Sequence, residues 1–284
     1  MQRHVAAPAF AIMFSALSLL SCASVLLATF SPALVLCYTT LSDDAMTLII
    51  AIFAAFLWAC AMSIVALIWA AIPPLQSQLW LLMLYAVPLQ EFARWSTWAL
   101  YERLMSGLRS AGLEPSERGR TAASVMPAAV ASGLGAGVMQ VLTLHGDILA
   151  GSMRPGTLYS PACSSLSIFA LDALTNLASI VLNVLLSVLG WTAAYPRKSR
   201  RGIGAIVLLH LLASGATLLN TQLPSLVPEG AGCAYSLPSL YSVVIVAAFL
   251  TSVNASATIC APRRSELIAG ATSSTGTGGA RTGL

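Results

Sequence analysis

The chain has 284 residues, of which 57% are hydrophobic and 8% charged. A soluble domain carries about 25% charged residues, so a soluble fold of this length could not cover its surface with so few. The net charge of +4 says less than the position of each charge, and the absence of a basic patch interleaved with aromatics argues against a nucleic-acid partner.

Apolar runs of roughly 18 residues or more read as membrane spans. Seven such segments follow one another: Ala6 to Thr29, Met46 to Ala71, Gln78 to Met105, Ser124 to Leu149, Cys163 to Tyr195, Ile203 to Asn220, and Leu237 to Ile259. Each is expected to be helical, because lipid offers no hydrogen-bond partner to the backbone. The fold class is therefore an all-α polytopic membrane protein. The first segment follows Met1, Gln2, Arg3 and His4, as a cleaved signal peptide would. Its apolar stretch is long for a signal, and a retained span is expected. The fifth exceeds what a span needs, so it tilts or runs into the interface. The seven-span domain covers residues 1–264. The tail from Ser265 to Leu284, rich in Gly, Ser and Thr, is expected to be disordered.

Basic residues orient such a chain. The N-terminus and the loops after spans 2, 4 and 6 hold only Arg3 and Arg154. The other loops and the tail hold Arg103, Arg109, Arg118, Arg120, Arg197, Lys198, Arg200, Arg201, Arg263, Arg264 and Arg281. This split of 2 against 11 places the second set in the cytosol and the N-terminus in the lumen or outside the cell.

The six cysteines show no CxxC spacing, so a zinc or redox motif is not indicated, and no metal or cofactor is expected. Cys163 and Cys233 fall on the same side of the membrane and could pair.

Ionisable groups at bilayer depth are costly, and each is a functional candidate. Span 3 carries Gln90, Glu91 and Arg94; Glu91 and Arg94 are three apart and can pair on one face. A self-neutralised structural pair is the plainer reading, a proton or substrate path the sharper one. Span 5 carries Asp172, Asn176 and Asn183, and span 6 carries His210 deep in an apolar run. A lone histidine there is more often a buried hydrogen-bonding group than a catalyst. In span 4, Gly133 and Gly137 form a GxxxG beside Ser132 and Gly135, a bare surface that lets another helix approach.

These pieces together resemble the Aph (anterior pharynx defective) subunits of γ-secretase, from the first span into the seventh. Span 1 has Ala7-Pro8-Ala9-Phe10-Ala11, similar to the family's Gly-Pro-Ala-Phe-Ala, and span 2 has Phe56-Leu57-Trp58 and Trp69. Span 3 has Leu89-Gln90-Glu91-Phe92-Ala93-Arg94, and span 4 has Ser132-Gly133-Leu134 with Gly137. Span 6 has His210-Leu211-Leu212-Ala213-Ser214-Gly215-Ala216-Thr217 followed by Asn220, the most specific match. The chain departs from the family at Val141, where a third spaced glycine is usual, at Asn183, where a span 5 histidine is usual, and around Ala255-Ser256.

The resemblance implies a non-catalytic scaffold that stabilises and assembles presenilin, nicastrin and the presenilin enhancer subunit for cleavage of type I membrane proteins. It implies residence in the endoplasmic reticulum, Golgi and plasma membrane. It also implies a polar pocket between spans 5 and 6 in which Asn183 partners His210, with Asp172 and Asn176 nearer the lumenal end. Ser132, Gly133 and Gly137 would serve helix packing or partner binding. The main rival is a rhomboid-like serine protease, with Ser132 as nucleophile and His210 as base. Against it, the glycine expected two residues before the serine is Val130. A seven-span receptor is disfavoured because the chain has neither an acidic-Arg-aromatic triplet closing span 3 nor an Asn-Pro-x-x-Tyr in span 7, and a transporter because it has no internal symmetry.

Overall fold

A computed structural model describes residues 29–40, 44–76, 78–112, 122–144, 159–160, 162–220, 228 and 230–273, together with residues 20, 23–24 and 27; the side chains of 122–124 and 256–273 lie outside this set. In chain order the elements are α1 (29–40), α2 (Ala45–Ala71), a single turn at Pro73–Gln76, α3 (Leu79–Ser110), α4 (Ala122–Leu144), a hairpin of β1 (Tyr159–Ser160) and β2 (Cys163–Ser167), α5 (Ile168–Leu189), α6 (Arg200–Leu218) and α7 (Gly232–Ser273). A wider π-turn, Gly190–Ala194, prolongs α5.

Short polar residues start these helices. The Asp44 carboxylate accepts from the Met46 N–H at 2.9 Å, Ser167 from Ala170 at 3.3 Å and Ser199 from Gly202 at 3.1 Å. Each satisfies an N–H that the first helical turn leaves without a partner. At the far end of α2, Pro73 and Pro74 stop the helix, because the residue before a proline is pushed out of the helical region.

Among the described residues, five helices are long and apolar enough to cross a membrane: Ala45–Ala71, Val125–Thr143, Ile168–Ala194, Arg200–Leu218 and Gly232–Ala255. The chain is thus an all-α membrane protein. With 32 residues α3 has ample length, but Gln90, Glu91 and Arg94 at its centre dilute its apolar character. The expected first span lies almost wholly outside the described residues, as do the tail from residue 274 and the segment 145–158 beyond α4.

The fifth span begins later than expected. Cys163–Ser167 is a strand rather than helix, pairing antiparallel with Tyr159–Ser160, and the helix starts only after the Ser167 cap. The physical reason is local: three serines in five residues compete with helical hydrogen bonding. Cys163 is also bonded to Cys233 in the first turn of α7, with Cα atoms 5.3 Å apart, and bridges to Ala231. The pairing left open by the sequence is therefore made, while Cys37 and Cys60 are free thiols. Alkylation without reduction should leave Cys163 and Cys233 unmodified. Replacing both with serine should cost about 2–4 kcal/mol, read as a lower unfolding midpoint in detergent.

α4 is the central helix, lying between α2 and α5. Its glycines make that possible. A Cβ on Gly133 would stand 2.5 Å from the Val184 Cα and 2.7 Å from the Asn183 carbonyl oxygen, and one on Gly137 would stand 3.0 Å from the Ile180 Cα. On the opposite side a Cβ on Gly135 would strike the Ala51 carbonyl. Val141, at the third spaced position, is fully buried against a cluster that includes Ala33 and Ile180. α3 packs on α2 and α6, and α7 on α5 and α6. The outer surfaces expose Ile52, Phe56, Leu208 and Phe249, as an apolar solvent permits.

Candidate functional site

The polar residues of four helices converge on Arg94. Within α3, Glu91 and Arg94 share one face, and the Arg94 Nε donates to Glu91 Oε2 at 3.1 Å. The guanidinium then reaches across to α5. Its Nη1 donates to the Asn183 carbonyl at 2.8 Å and to Ser187 Oγ at 3.0 Å, and its Nη2 donates to Asn183 Oδ1 at 2.9 Å. Asn183 completes its amide by donating from Nδ2 to Gln140 Oε1 of α4 at 2.7 Å and to the Ser179 carbonyl at 2.9 Å. The second carboxylate oxygen of Glu91 meets His210 Nδ1 of α6 at 2.5 Å.

From α2, Trp58 closes the group. Its ring lies nearly parallel to that of His210, with centroids 6.2 Å apart, and the Arg94 Cζ sits 5.7 Å from its centroid. Trp58 Nε1 has no hydrogen-bond partner among the described residues, so the side chain acts through its face. Gln90 turns toward α2 and donates to Met62 Sδ at 3.0 Å. Arg94 is 2% exposed and Glu91 7%. At that depth a charge persists only when opposite charge and hydrogen bonds compensate for lost solvation, and here both do. The planar fork of arginine suits the task, because it can hold a carboxylate, a carbonyl and an amide oxygen at once.

Beside this network lies a cavity of about 290 Å³ between α5 and α6, lined by Gln140, Asp172, Asn176, Ser179, Asn183, His210, Ser214 and Thr217 among others. Asn176 Nδ2 donates to Asp172 Oδ2 at 2.9 Å within its wall. A second cavity of about 230 Å³ shares Asp172 and Thr175 and extends to Ser160 of the hairpin and Asn220.

The structure thus brings Glu91, Arg94, Asn183 and His210 into one network, sets Asp172 and Asn176 in the adjoining wall, and places Gly133 against the carbonyl of Asn183. One expectation is corrected. Asn183 does not bond to His210; Glu91 does, and Asn183 is held by Arg94 and Gln140. The reason is that α3 packs against α6, so a carboxylate on α3 reaches the imidazole first. Two members went unnoticed in the sequence, Ser187 and Gln140, and Trp58 stood out there only as part of the resemblance. Ser187 had a readable signal, because Asp172, Asn176, Ser179, Asn183 and Ser187 form one stripe at helical spacing on α5. Ser132 is buried in α4, and no hydrogen bond joins it to His210, so the serine–histidine dyad of a rhomboid protease is not formed.

Glu91 and His210 should behave as a coupled pair. Glu91→Leu and His210→Leu should each lower stability, and the double change should cost less than the two added together. A coupling of roughly 0.5–3 kcal/mol is expected. Strict additivity of unfolding midpoints in detergent would dissolve the pair.

The family model described as Aph-1 protein matches residues 20–258. A Homo sapiens protein named gamma-secretase subunit APH-1B is 31% identical over 202 residues, covering 68% of this chain and 76% of its own length. The Drosophila melanogaster gamma-secretase subunit Aph-1 is 30% identical over 193 residues, 68% of this chain and 78% of its own. An Arabidopsis thaliana protein named gamma-secretase subunit APH1-like is 25% identical over 221 residues, 76% of this chain and 85% of its own. With a match that runs from α1 into α7 and a buried Glu91–Arg94 pair at its centre, this chain belongs to the Aph-1 family.

Proposed function

We propose that this chain is a non-catalytic scaffold subunit of a γ-secretase complex, assembling presenilin, nicastrin and the presenilin enhancer subunit for cleavage of type I membrane proteins. Its similarity to named γ-secretase subunits of animals and a plant supports the complex. The observation that carries the scaffold role is the internal engagement of its intramembrane ionisable groups. Glu91 is engaged by Arg94 and His210, Arg94 by α5, and Asp172 by Asn176. Groups so engaged fix helix positions, and fixed positions are what a subunit that holds others in register needs.

The proposed topology has seven spans, a lumenal N-terminus and a cytosolic C-terminus, in the endoplasmic reticulum, Golgi and plasma membranes. The disulfide supports it from an independent direction. Cys163 and Cys233 lie on the side poor in basic residues, and disulfides persist in lumenal and extracellular compartments.

A tagged chain purified in mild detergent should bring down presenilin, nicastrin and the enhancer subunit. Ser132→Ala should leave proteolysis by the reconstituted complex intact, since alanine preserves the close approach of α4. Cleavage of a type I substrate by this chain alone, lost in Ser132→Ala, would replace the scaffold with a protease.

A further inference from the structure

The turn between α5 and α6 carries the densest charge among the described residues. Arg197, Lys198, Arg200 and Arg201 fall within five positions and all are exposed. Among the described residues, no acidic side chain pairs with any of them. The helix cap does not consume this charge, because the first-turn N–H of Gly202 is already taken by Ser199 Oγ.

The turn is also rigidly built. Tyr195 N–H donates to Gly190 O at 2.8 Å, Lys198 N–H to Tyr195 O at 3.1 Å and Ser199 N–H to Ala194 O at 3.0 Å. Lys198 takes a left-handed φ of +48°, which folds the chain back at that point. Gly202 then lets α6 close onto α5, since a Cβ there would stand 3.0 Å from the Ala194 Cβ. The cations are therefore presented together on a fixed frame instead of a loose loop, which lowers the ordering cost of binding.

The apolar stretches Ile168–Ala194 and Arg200–Leu218 end and begin at this turn, so it lies at the membrane surface. We propose that the α5–α6 turn is a binding site for the phosphate-bearing headgroups of anionic phospholipids in the adjacent leaflet. The proposal rests on the membrane placement of the chain. Under the orientation proposed above the leaflet is the cytosolic one, where anionic lipids are concentrated. Among the described residues these four cations have no acidic partner, and phosphate oxygens satisfy arginine's fork. Each cation near an anionic membrane surface contributes roughly five-fold to affinity.

The test uses the full chain in vesicles of phosphatidylcholine, alone or with phosphatidylserine, followed by detergent extraction and measurement of retained lipid. Wild type should retain phosphatidylserine in excess of its share. Arg200→Gln with Arg201→Gln should weaken that preference on the order of 25-fold, and Arg200→Lys with Arg201→Lys should keep most of it. Should the glutamine variant not accumulate, wild type alone decides: the preference should shrink as salt rises. Retention in proportion to the lipid mixture, or insensitive to salt, overturns the site. Saturable binding of inorganic phosphate in detergent without phosphatidylserine enrichment overturns the lipid as its ligand. Release of wild type from membranes by alkaline carbonate would instead overturn the membrane placement itself, which separates the two failures.

Discussion

Replacing Arg94 with leucine is expected to be among the most damaging single changes in this chain, with a loss of about 3–5 kcal/mol. The substitution removes four hydrogen bonds at once and leaves Glu91 with only His210. A buried carboxylate that has lost its guanidinium partner is the main part of that cost. The readouts are the unfolding midpoint in detergent and the yield of co-purified presenilin. Arg94→Lys should not rescue. A single ammonium cannot hold Glu91, the Asn183 carbonyl and the Asn183 amide oxygen in their present places. Arg94→Leu combined with Glu91→Leu should recover part of the loss, because it removes the stranded charge with its partner. Wild-type behaviour of Arg94→Lys would show that the charge alone matters and not the fork.

The second large effect is expected at the glycines of α4. Gly133→Ala adds one methyl group, but the atoms it meets are backbone: the Val184 Cα at 2.5 Å and the Asn183 carbonyl at 2.7 Å. Backbone cannot rotate aside as a flexible side chain can, so α4 and α5 must separate. The cost should reach about 1–3 kcal/mol for alanine and more for leucine. That separation would also pull Asn183 away from Arg94, coupling the packing surface to the polar network. Gly204→Ala is the control, since nothing stands within 4 Å of that Cβ. It should stabilise slightly, because alanine favours helix over glycine by about 1 kcal/mol. Equal behaviour of Gly133→Ala and Gly204→Ala would refute close contact between α4 and α5.

Much of this was legible in one dimension. Long apolar runs marked the helices because a bilayer demands length and low polarity, and α2 and α6 match their expected spans within a few residues. The same criterion failed at Cys163–Ser167. Hydropathy does not distinguish an apolar helix end from a short strand held by a distant cysteine. The spacing of Glu91 and Arg94 announced a pair because both lie on a single helix, where geometry is set by the residue count. Gly133 and Gly137 announced a contact surface for the same reason.

What the residue order determined by itself was therefore of local origin: which segments are helices, which face of each is polar or bare, the uneven distribution of basic residues and the resemblance to a family. The tertiary structure alone decided who meets whom. His210 could have been served by Asn183 as readily as by Glu91, since amide and carboxylate both bond an imidazole. Only the packing of α3 against α6 selected the carboxylate, and only the glycine-mediated approach of α4 brought Gln140 to the Asn183 amide. A helical period specifies the direction in which a side chain points. The neighbour waiting in that direction depends on how helices far apart in the chain lie against one another, and a buried polar group accepts whichever suitable partner that packing delivers.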